Sequence, residues 1–464
     1  MRYLFCLVLF MLTSCANQSL KPLSIKIPEN YKNIDSWRVV HPSEDVARGD
    51  WWKGLNDIIL DNLIVKLDAS NNDLAAALAQ YEQANALDVQ ARSGFFPVIN
   101  ASAASNHDKQ SDNRPLRSST QPNFYEDHSA SLSLQYEVDL WGRVHDKVSA
   151  SRAYVAASKA EYESVHLSLR ARLVNDYIAL RSLDLQKEML ENLNVNYVKI
   201  QALINNRYRG GVGSMADLYR ANAQIEAIKI KLLDISARRS LFEHAIATLV
   251  GEPASDFSIT PEYKPMELPL IPLGIPADLL ERRPDIVSAE RLMEAANAKV
   301  GIAKTAFFPT FTISTIGGYD TSLNKEWLTA PNTFWAIGPS AVLTIFDAGR
   351  RKAEVAQAKA GLDQAAAKYR ASVLSAFQEV EDNLSDISSA DDEILHSNTY
   401  TTNYQSALSI LANRYHAGVA SYLDVVSAEN ALLQSQLDEV AFREKRLHAT
   451  INLIRSLGGG WKMN

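Results

Sequence analysis

Asn206-Arg207-Tyr208-Arg209-Gly210-Gly211-Val212-Gly213-Ser214 returns 207 residues later as Asn413-Arg414-Tyr415-His416-Ala417-Gly418-Val419-Ala420-Ser421. The register holds outward from this pair: at the same offset of 207, Gly142-Arg143 matches Gly349-Arg350 and Val250-Gly251 matches Leu457-Gly458. Further upstream Phe95-Phe96-Pro97 matches Phe307-Phe308-Pro309 at an offset of 212, so the first copy carries five extra residues in a tolerant loop. Solenoid repeats recur every ~20 to 50 residues, far below this period. The chain is a duplicated half-subunit.

Between these landmarks both copies show the same order of elements. Val144 to Arg209 holds no Gly or Pro in 66 residues, and Ala, Leu, Glu, Lys, Arg and Gln dominate it. Such a composition favours one continuous helix, about 100 Å long at 1.5 Å per residue. The second copy, Arg351 to Ala417, is interrupted only by Gly361. A helix of this length must pack along similar helices. Each is followed by a shorter breaker-free stretch of 37 residues, Ser214 to Val250 and Ser421 to Leu457. Asn72 to Arg92 and Asp285 to Ala306 read as further helices. A 37-residue piece plus one of just over 20 nearly equals the long helix, so the two shorter helices are expected end to end beside it.

The part between Phe-Phe-Pro and Gly-Arg has another period. Ser131 to Leu140 alternates without fault, with Leu132, Leu134, Tyr136, Val138 and Leu140 on one face and polar residues on the other. Ten residues of this pattern suit a tilted transmembrane strand with lipid on one side and water on the other. Val98 to Ser105, Thr310 to Gly317 and Ala336 to Ile345 are the expected partners, giving four strands per chain. Trp141, Phe346 and the two Phe-Phe pairs fall at strand–helix junctions, where either an aromatic girdle or core packing would place them.

The ends and the composition bound what remains. Met1-Arg2 and the apolar run Tyr3 to Leu12 read as a targeting segment, too short to span a bilayer. Leu12-Thr13-Ser14-Cys15 resembles the bacterial lipobox, which makes Cys15 the expected lipidation site and residues 1–14 the signal peptide. The only other cysteine is Cys6, so the mature chain can form neither a disulfide framework nor a cysteine zinc site. Ala16 follows Cys15 where an Asp would favour inner-membrane retention. With 47 Lys+Arg interspersed among 54 Asp+Glu, no concentrated positive charge suits a nucleic acid. No stretch approaches the ~20 apolar residues of a transmembrane helix, so strands must do any crossing.

Four strands in lipid leave two unpaired edges, which other copies must close. Three chains give twelve strands, wide enough for an aqueous lumen. The expected fold is a mixed α and β membrane protein: a trimeric twelve-stranded outer-membrane β-barrel continued by a long periplasmic α-helical barrel. The division along the chain is 15–70, a lipidated segment and equatorial region; 71–251, the first repeat; 252–284, an equatorial linker; 285–458, the second repeat; and 459–464, a tail.

Ile275-Pro276-Ala277-Asp278-Leu279-Leu280-Glu281-Arg282-Arg283-Pro284-Asp285-Ile286, followed by Ala289-Glu290-Arg291 and Ala306-Phe307-Phe308-Pro309, resembles the TolC-type outer-membrane factors. Trp51-Trp52, the Arg-Tyr-x-x-Gly-Val turns and the lipobox are similar to their lipoprotein branch, the OprM/NodT-type efflux proteins. The resemblance covers nearly the whole mature chain. It implies a homotrimer in the bacterial outer membrane, lipid-anchored and spanning. It also implies a periplasmic adaptor, an inner-membrane pump of the resistance-nodulation-division type, no cofactor beyond the lipid, and passive conduction of small molecules such as drugs.

By the same resemblance the two Gly-Val turns are the periplasmic tips. Gly211 and Gly418 can end a helix in a left-handed conformation, and Ser214 and Ser421 can cap the return helices. Gly211, Val212, Ser214, Gly418, Val419 and Ser421 are therefore both caps and candidate adaptor contacts. Asp217 and Asp424 stand at equivalent positions just beyond, each becoming a ring of three charges in a trimer. An acid in the first turn of a helix also favours its dipole, so a purely structural role competes. The family often pairs acids one turn apart; here Ser427 stands three residues after Asp424, leaving Asp424 as the candidate. Asp217, Asp424, Tyr415 and Arg414 are the expected gate.

An enzyme has little support, with no His-Glu-x-x-His, no Gly-x-Ser-x-Gly and no phosphate-binding loop. His145 and His166 read as surface residues of the long helix. A lipid-anchored helical scaffold explains the helices but not the alternation of 131–140, and a duct for protein (type I) secretion is the other competing reading.

Overall fold

The computed structural model describes residues 50–113, 122–266, 282–323 and 326–459. Cys15, the signal peptide, part of the 252–284 linker and most of the tail lie outside the described residues. In chain order the elements are α1 (Ile58–Ser70), α2 (Asn72–Ser93), β1 (Val98–Lys109), β2 (Phe124–Val138), α3 (Arg143–Arg209), α4 (Met215–Leu249), α5 (Pro284–Thr305), β3 (Thr310–Thr321), β4 (Thr333–Val342), α6 (Arg350–His416) and α7 (Tyr422–Ser456). The duplication is plain in the lengths: α3 and α6 have 67 residues each, α4 and α7 have 35 each. Gly361 leaves α6 unbroken.

Two compact units emerge, and each draws on both repeats. One comprises residues 80–159 and 288–369 and holds the sheet. Its four strands run antiparallel in the order β1-β2-β3-β4, so β1 and β4 are open edges. The register aligns Ala101, Leu132, Gly317 and Trp335 across the strands, and likewise Leu134, Thr315 and Ile337. Because side chains alternate along each strand, these share one face with Tyr136 and Val138. The other face carries Ser102, Ser131, Ser133, Gln135, Ser314 and Ser340, interrupted by Ile316 and Phe334. An apolar face and a hydroxyl-rich one are what a wall between lipid and water requires.

The strand bounds differ from the expected ones. β2 begins at Phe124, earlier than the apolar alternation, because the β1–β2 hairpin continues with polar pairs such as Ser105–His128 and His107–Glu126. It ends at Val138 because Asp139 turns out of the ladder to accept from the backbone N–H groups of Val144 (3.0 Å) and His145 (2.8 Å), capping α3. β4 spans 333–342 in place of 336–345, and Phe346 beyond it is 84% exposed. Trp141 is half-buried: its Nε1 donates to the Pro309 carbonyl (2.7 Å) and its ring stacks on Phe308 at 4.8 Å. It is a packed junction residue in this chain, whereas Phe96 and Phe346 are exposed.

The second unit comprises 160–287, 370–459 and 50–79 among the described residues. Its core follows a seven-residue repeat: Leu183, Leu190, Tyr197 and Ile204 on α3, Ala221, Ile228 and Ile235 on α4, and Val426, Leu433, Leu447 and Ile454 on α7 are all buried. This spacing keeps one seam facing the partner helix, as in a coiled coil. The expected end-to-end junctions form. Asn71 caps α2 by accepting from the Leu74 N–H and donates to the Leu249 carbonyl at the end of α4 (2.8 Å). Arg283, just before α5, donates to the Ser456 carbonyl at the end of α7 (3.0 Å).

The base of this unit is pinned by buried charge. Asp184, fully buried, accepts from Arg239 Nε (2.6 Å), Arg181 Nη1 (3.2 Å) and the Glu262 N–H (3.2 Å). Arg181, 2% exposed, also reaches the Thr260 carbonyl and the Tyr177 hydroxyl, which donates to Asp57 (2.6 Å). These bonds fasten the inter-repeat chain and the start of α1 to α3 and α4. His166 is not the surface residue expected: it bonds Asp68 on α1 (2.8 Å), joined there by Arg170. Asp68 on a second helix supplies a partner that the α3 pattern alone does not reveal. Among the described residues, no helix is long and apolar enough to cross a membrane.

Candidate functional site

Both long helices end in the same hydrogen-bonded turn. Val212 N–H donates to the Arg207 carbonyl (3.0 Å) and Gly211 N–H to Tyr208 (3.0 Å); Val419 donates to Arg414 (2.9 Å) and Gly418 to Tyr415 (3.0 Å). This is the Schellman closure, and it needs a left-handed residue, supplied by Gly211 at φ 76° and Gly418 at φ 75°. The turns push Val212 and Val419 outward, 71% and 65% exposed. Ser214 then accepts from the Ala216 N–H at 3.1 Å and starts α4. Ser421 starts α7 with more: its Oγ accepts from the Asp424 N–H (3.2 Å), while the Asp424 carboxylate accepts from the Ser421 N–H (3.0 Å) and hydroxyl (2.8 Å). This capping box satisfies two orphan donors at once.

The two acids therefore differ. Asp424 is held below the usual carboxylate range by the Ser421 hydroxyl, the Ser421 N–H and the nearby positive charge of Arg414. Asp217 lacks the box and accepts instead from Arg220 Nη1 at 3.4 Å. Each acid bonds within its own turn.

Tyr415 joins the two copies. Its ring lies 5.9 Å from that of Tyr422 and under the guanidinium of Arg207 at 5.0 Å. Tyr422 is buried at 2% exposure in a cluster with Ile204, Ala221 and Val426. Burial drives its hydroxyl well above the ordinary range, with the charges of Glu429 and Asp217 adding to it. So Tyr415, Arg414 and Asp424 are brought together around the second turn, and the charge of Asp217 reaches Tyr422 beside them. Arg207 and Tyr422 are the tip residues that sequence reasoning passed over. Arg207 was readable, being the equivalent of Arg414 at the offset of 207. Tyr422 was not, because its counterpart is Met215.

Among the described residues no three His, Cys, Asp or Glu side chains converge as a metal site would need. The arrangement consists of a membrane-compatible sheet with open edges and long helices ending in duplicated turns. That combination defines a duct-forming outer-membrane protein. The chain matches the family described as outer membrane efflux protein over residues 63–252 and 275–459, and it belongs to that family, the outer-membrane factors of the TolC type. It is 28% identical to the pyoverdine export outer membrane protein OpmQ of Pseudomonas aeruginosa over 419 residues, 89% of this chain and 87% of that one. To the solvent efflux pump outer membrane protein SrpC of Pseudomonas putida it is 29% identical, covering 87% and 86%. The structure of the outer-membrane channel OprN superposes with a TM-score of 0.87 at 27% identity, covering 96% of this chain and all of that one. The CmeC outer membrane channel of Campylobacter jejuni, at 24% identity, shares the fold with a TM-score of 0.89, covering 97% and 96%. The protein is an outer-membrane channel of the efflux type, with strands in the membrane and helices in the periplasm.

Proposed function

We propose that three copies of this chain close a conduit that passively carries small molecules out of the cell, taking them from a periplasmic adaptor and an inner-membrane pump of the resistance-nodulation-division type. The observation that carries this is the sheet: one face apolar, one face hydroxylated, and both edges, β1 and β4, without partners. Backbone groups left unpaired in lipid cost several kcal/mol each, so closure by neighbouring copies is the economical state. A lipid on Cys15 anchors the chain, and no other cofactor is needed.

At the tips, Asp217, Asp424, Tyr415 and Arg414 form the periplasmic gate. Three copies of each acid repel one another, and the charges of Arg414 near Asp424 and Arg220 on Asp217 offset that repulsion. Gly211, Val212, Ser214, Gly418, Val419 and Ser421 present the adaptor surface, with the two outward valines as its apolar contacts. The names of the relatives, pyoverdine and solvent export, favour small molecules over a secreted protein.

The test is to purify the mature chain in detergent, weigh it by light scattering and record conductance in a planar bilayer. A trimer with small, rarely opening channels is expected, opening more often in Asp424→Ala or Asp217→Ala. A non-conducting monomer would favour the anchored scaffold instead, and unchanged conductance in both variants would remove the acids from the gate.

A further inference from the structure

The seam that α7 presents to its neighbours runs through Tyr422, Val426, Glu429 and Leu433, alternating steps of four, three and four residues. Three of the four are buried and belong to the tip clusters; the remaining one is an acid. Glu429 is half-buried and its Oε2 is shut off from solvent without a hydrogen-bond partner. Opposite it on α3 stands Tyr197, 1% exposed, whose hydroxyl is likewise buried and unsatisfied. The two groups approach each other across the seam closely enough for the Tyr197 hydroxyl to favour the charged form of Glu429, yet neither atom completes a well-formed hydrogen bond. Among the described residues no Lys, Arg or His forms an ion pair with Glu429. The other titratable neighbour is Tyr422 on α7 itself, which in turn faces Tyr415 of α6 and Asp217 of α4.

Two buried polar groups that nearly meet are a poor way to stabilise a seam, since each loses its water without gaining a partner. Their arrangement has a use if the seam is meant to exist in two states. We propose that Glu429 and Tyr197 form a proton-operated latch between α3 and α7: with Glu429 neutral the seam above the tips stays shut, and with Glu429 charged it loosens and the duct opens more readily. The proton leaves the Glu429 carboxyl for solvent, and water enters to solvate the carboxylate. Burial supports this by raising Glu429 to about 7, against a partial opposing pull from Tyr197, so its charge changes within the range a periplasm experiences. The sign follows: the neutral, seam-closing form is complete below the ordinary 4.5 of a glutamate and is lost as pH rises through about 7.

The opening arm of this inference rests on the gated-duct reading; the seam arm does not. Backbone amide exchange of residues 194–204 and 422–433 in the full trimer, corrected for the intrinsic effect of pH, reads the seam directly at about pH 5.5 and about pH 8.5. Protection is expected to fall about 30-fold at the higher pH, because the two conditions lie about 1.5 units either side of a midpoint near 7. Glu429→Gln abolishes that dependence and stays protected at both. Tyr197→Phe removes a donor to the charged form and moves the midpoint upward without abolishing it, which a merely structural role would not do. Opening frequency in a bilayer should follow the same three patterns. A pH dependence unchanged in Glu429→Gln, or none in the parent protein, would overturn the latch. Protection that responds as stated in a protein that never conducts would sink the duct reading and leave the seam device standing.

Discussion

Gly418 shows how much one residue settles at the tip. At φ 75° any side chain with a Cβ is strained, while the position itself is open, so the cost is conformational and not steric. Gly418→Ala should destabilise the α6–α7 turn by about 1 kcal/mol, read as faster amide exchange in residues 414–424 with the remainder of the chain unchanged. Asp424 is the neighbouring case. Its carboxylate is held low by the Ser421 hydroxyl, so the stability it adds is present above the ordinary 3.8 and lost as pH falls through its lower folded value. Asp424→Asn should fray the first turn of α7 near neutral pH and match the parent protein in strong acid. Glu429 has the opposite sign, so the same helix is loosened by acid at its cap and by base along its seam.

Among the elements, residues 259–262 of the inter-repeat chain are held by a cluster of buried charges and hydrogen bonds around Asp184 and Arg181. Asp184→Asn takes the shared carboxylate from the buried Arg181 and Arg239, and breaking such pairs typically costs about 3–5 kcal/mol; Arg181→Met leaves Asp184 paired with Arg239 alone and should cost less. A clear fall in melting temperature is expected from either variant, whereas exposed pairs such as Lys229–Glu226 should be close to neutral on removal. Apart from α1, which lies outside the duplication and was not expected, the helices were legible in the sequence nearly to the residue, because Gly and Pro punctuate them and the duplication reads each boundary twice. The strands were legible in kind but not in extent. Alternation marks only where apolar residues alternate, so the polar end of the β1–β2 hairpin carries no signal, and Asp139 reads as strand because a cap declares itself only against the helix it serves. At the tip, the caps and both acids could be read from spacing. The contacts that join the copies, Arg207 on Tyr415 and Tyr422 in its cluster, depend on which helices become neighbours, and Tyr197 opposite Glu429 depends on the same thing.

For the molecule as a whole, the two faces of the sheet make a sharp forecast. Ile337 shares the apolar face with Leu134, and Ser340 lies on the opposite one. Ile337→Lys should weaken insertion into lipid by about 2–4 kcal/mol, seen as a lower folded yield in vesicles, while Ser340→Lys should insert as the parent does. The order β1-β2-β3-β4 also bears on how the protein comes to be in a membrane at all. A barrel written in one chain can close on itself and then enter the bilayer. This chain cannot, because both of its outer strands wait for another copy. Closing the barrel therefore depends on concentration: a lone chain leaves the backbone of β1 and β4 unpaired in lipid, and its strands gain a stable membrane form only as further copies arrive. The unpaired edges act as a checkpoint that keeps incomplete pores out of the outer membrane.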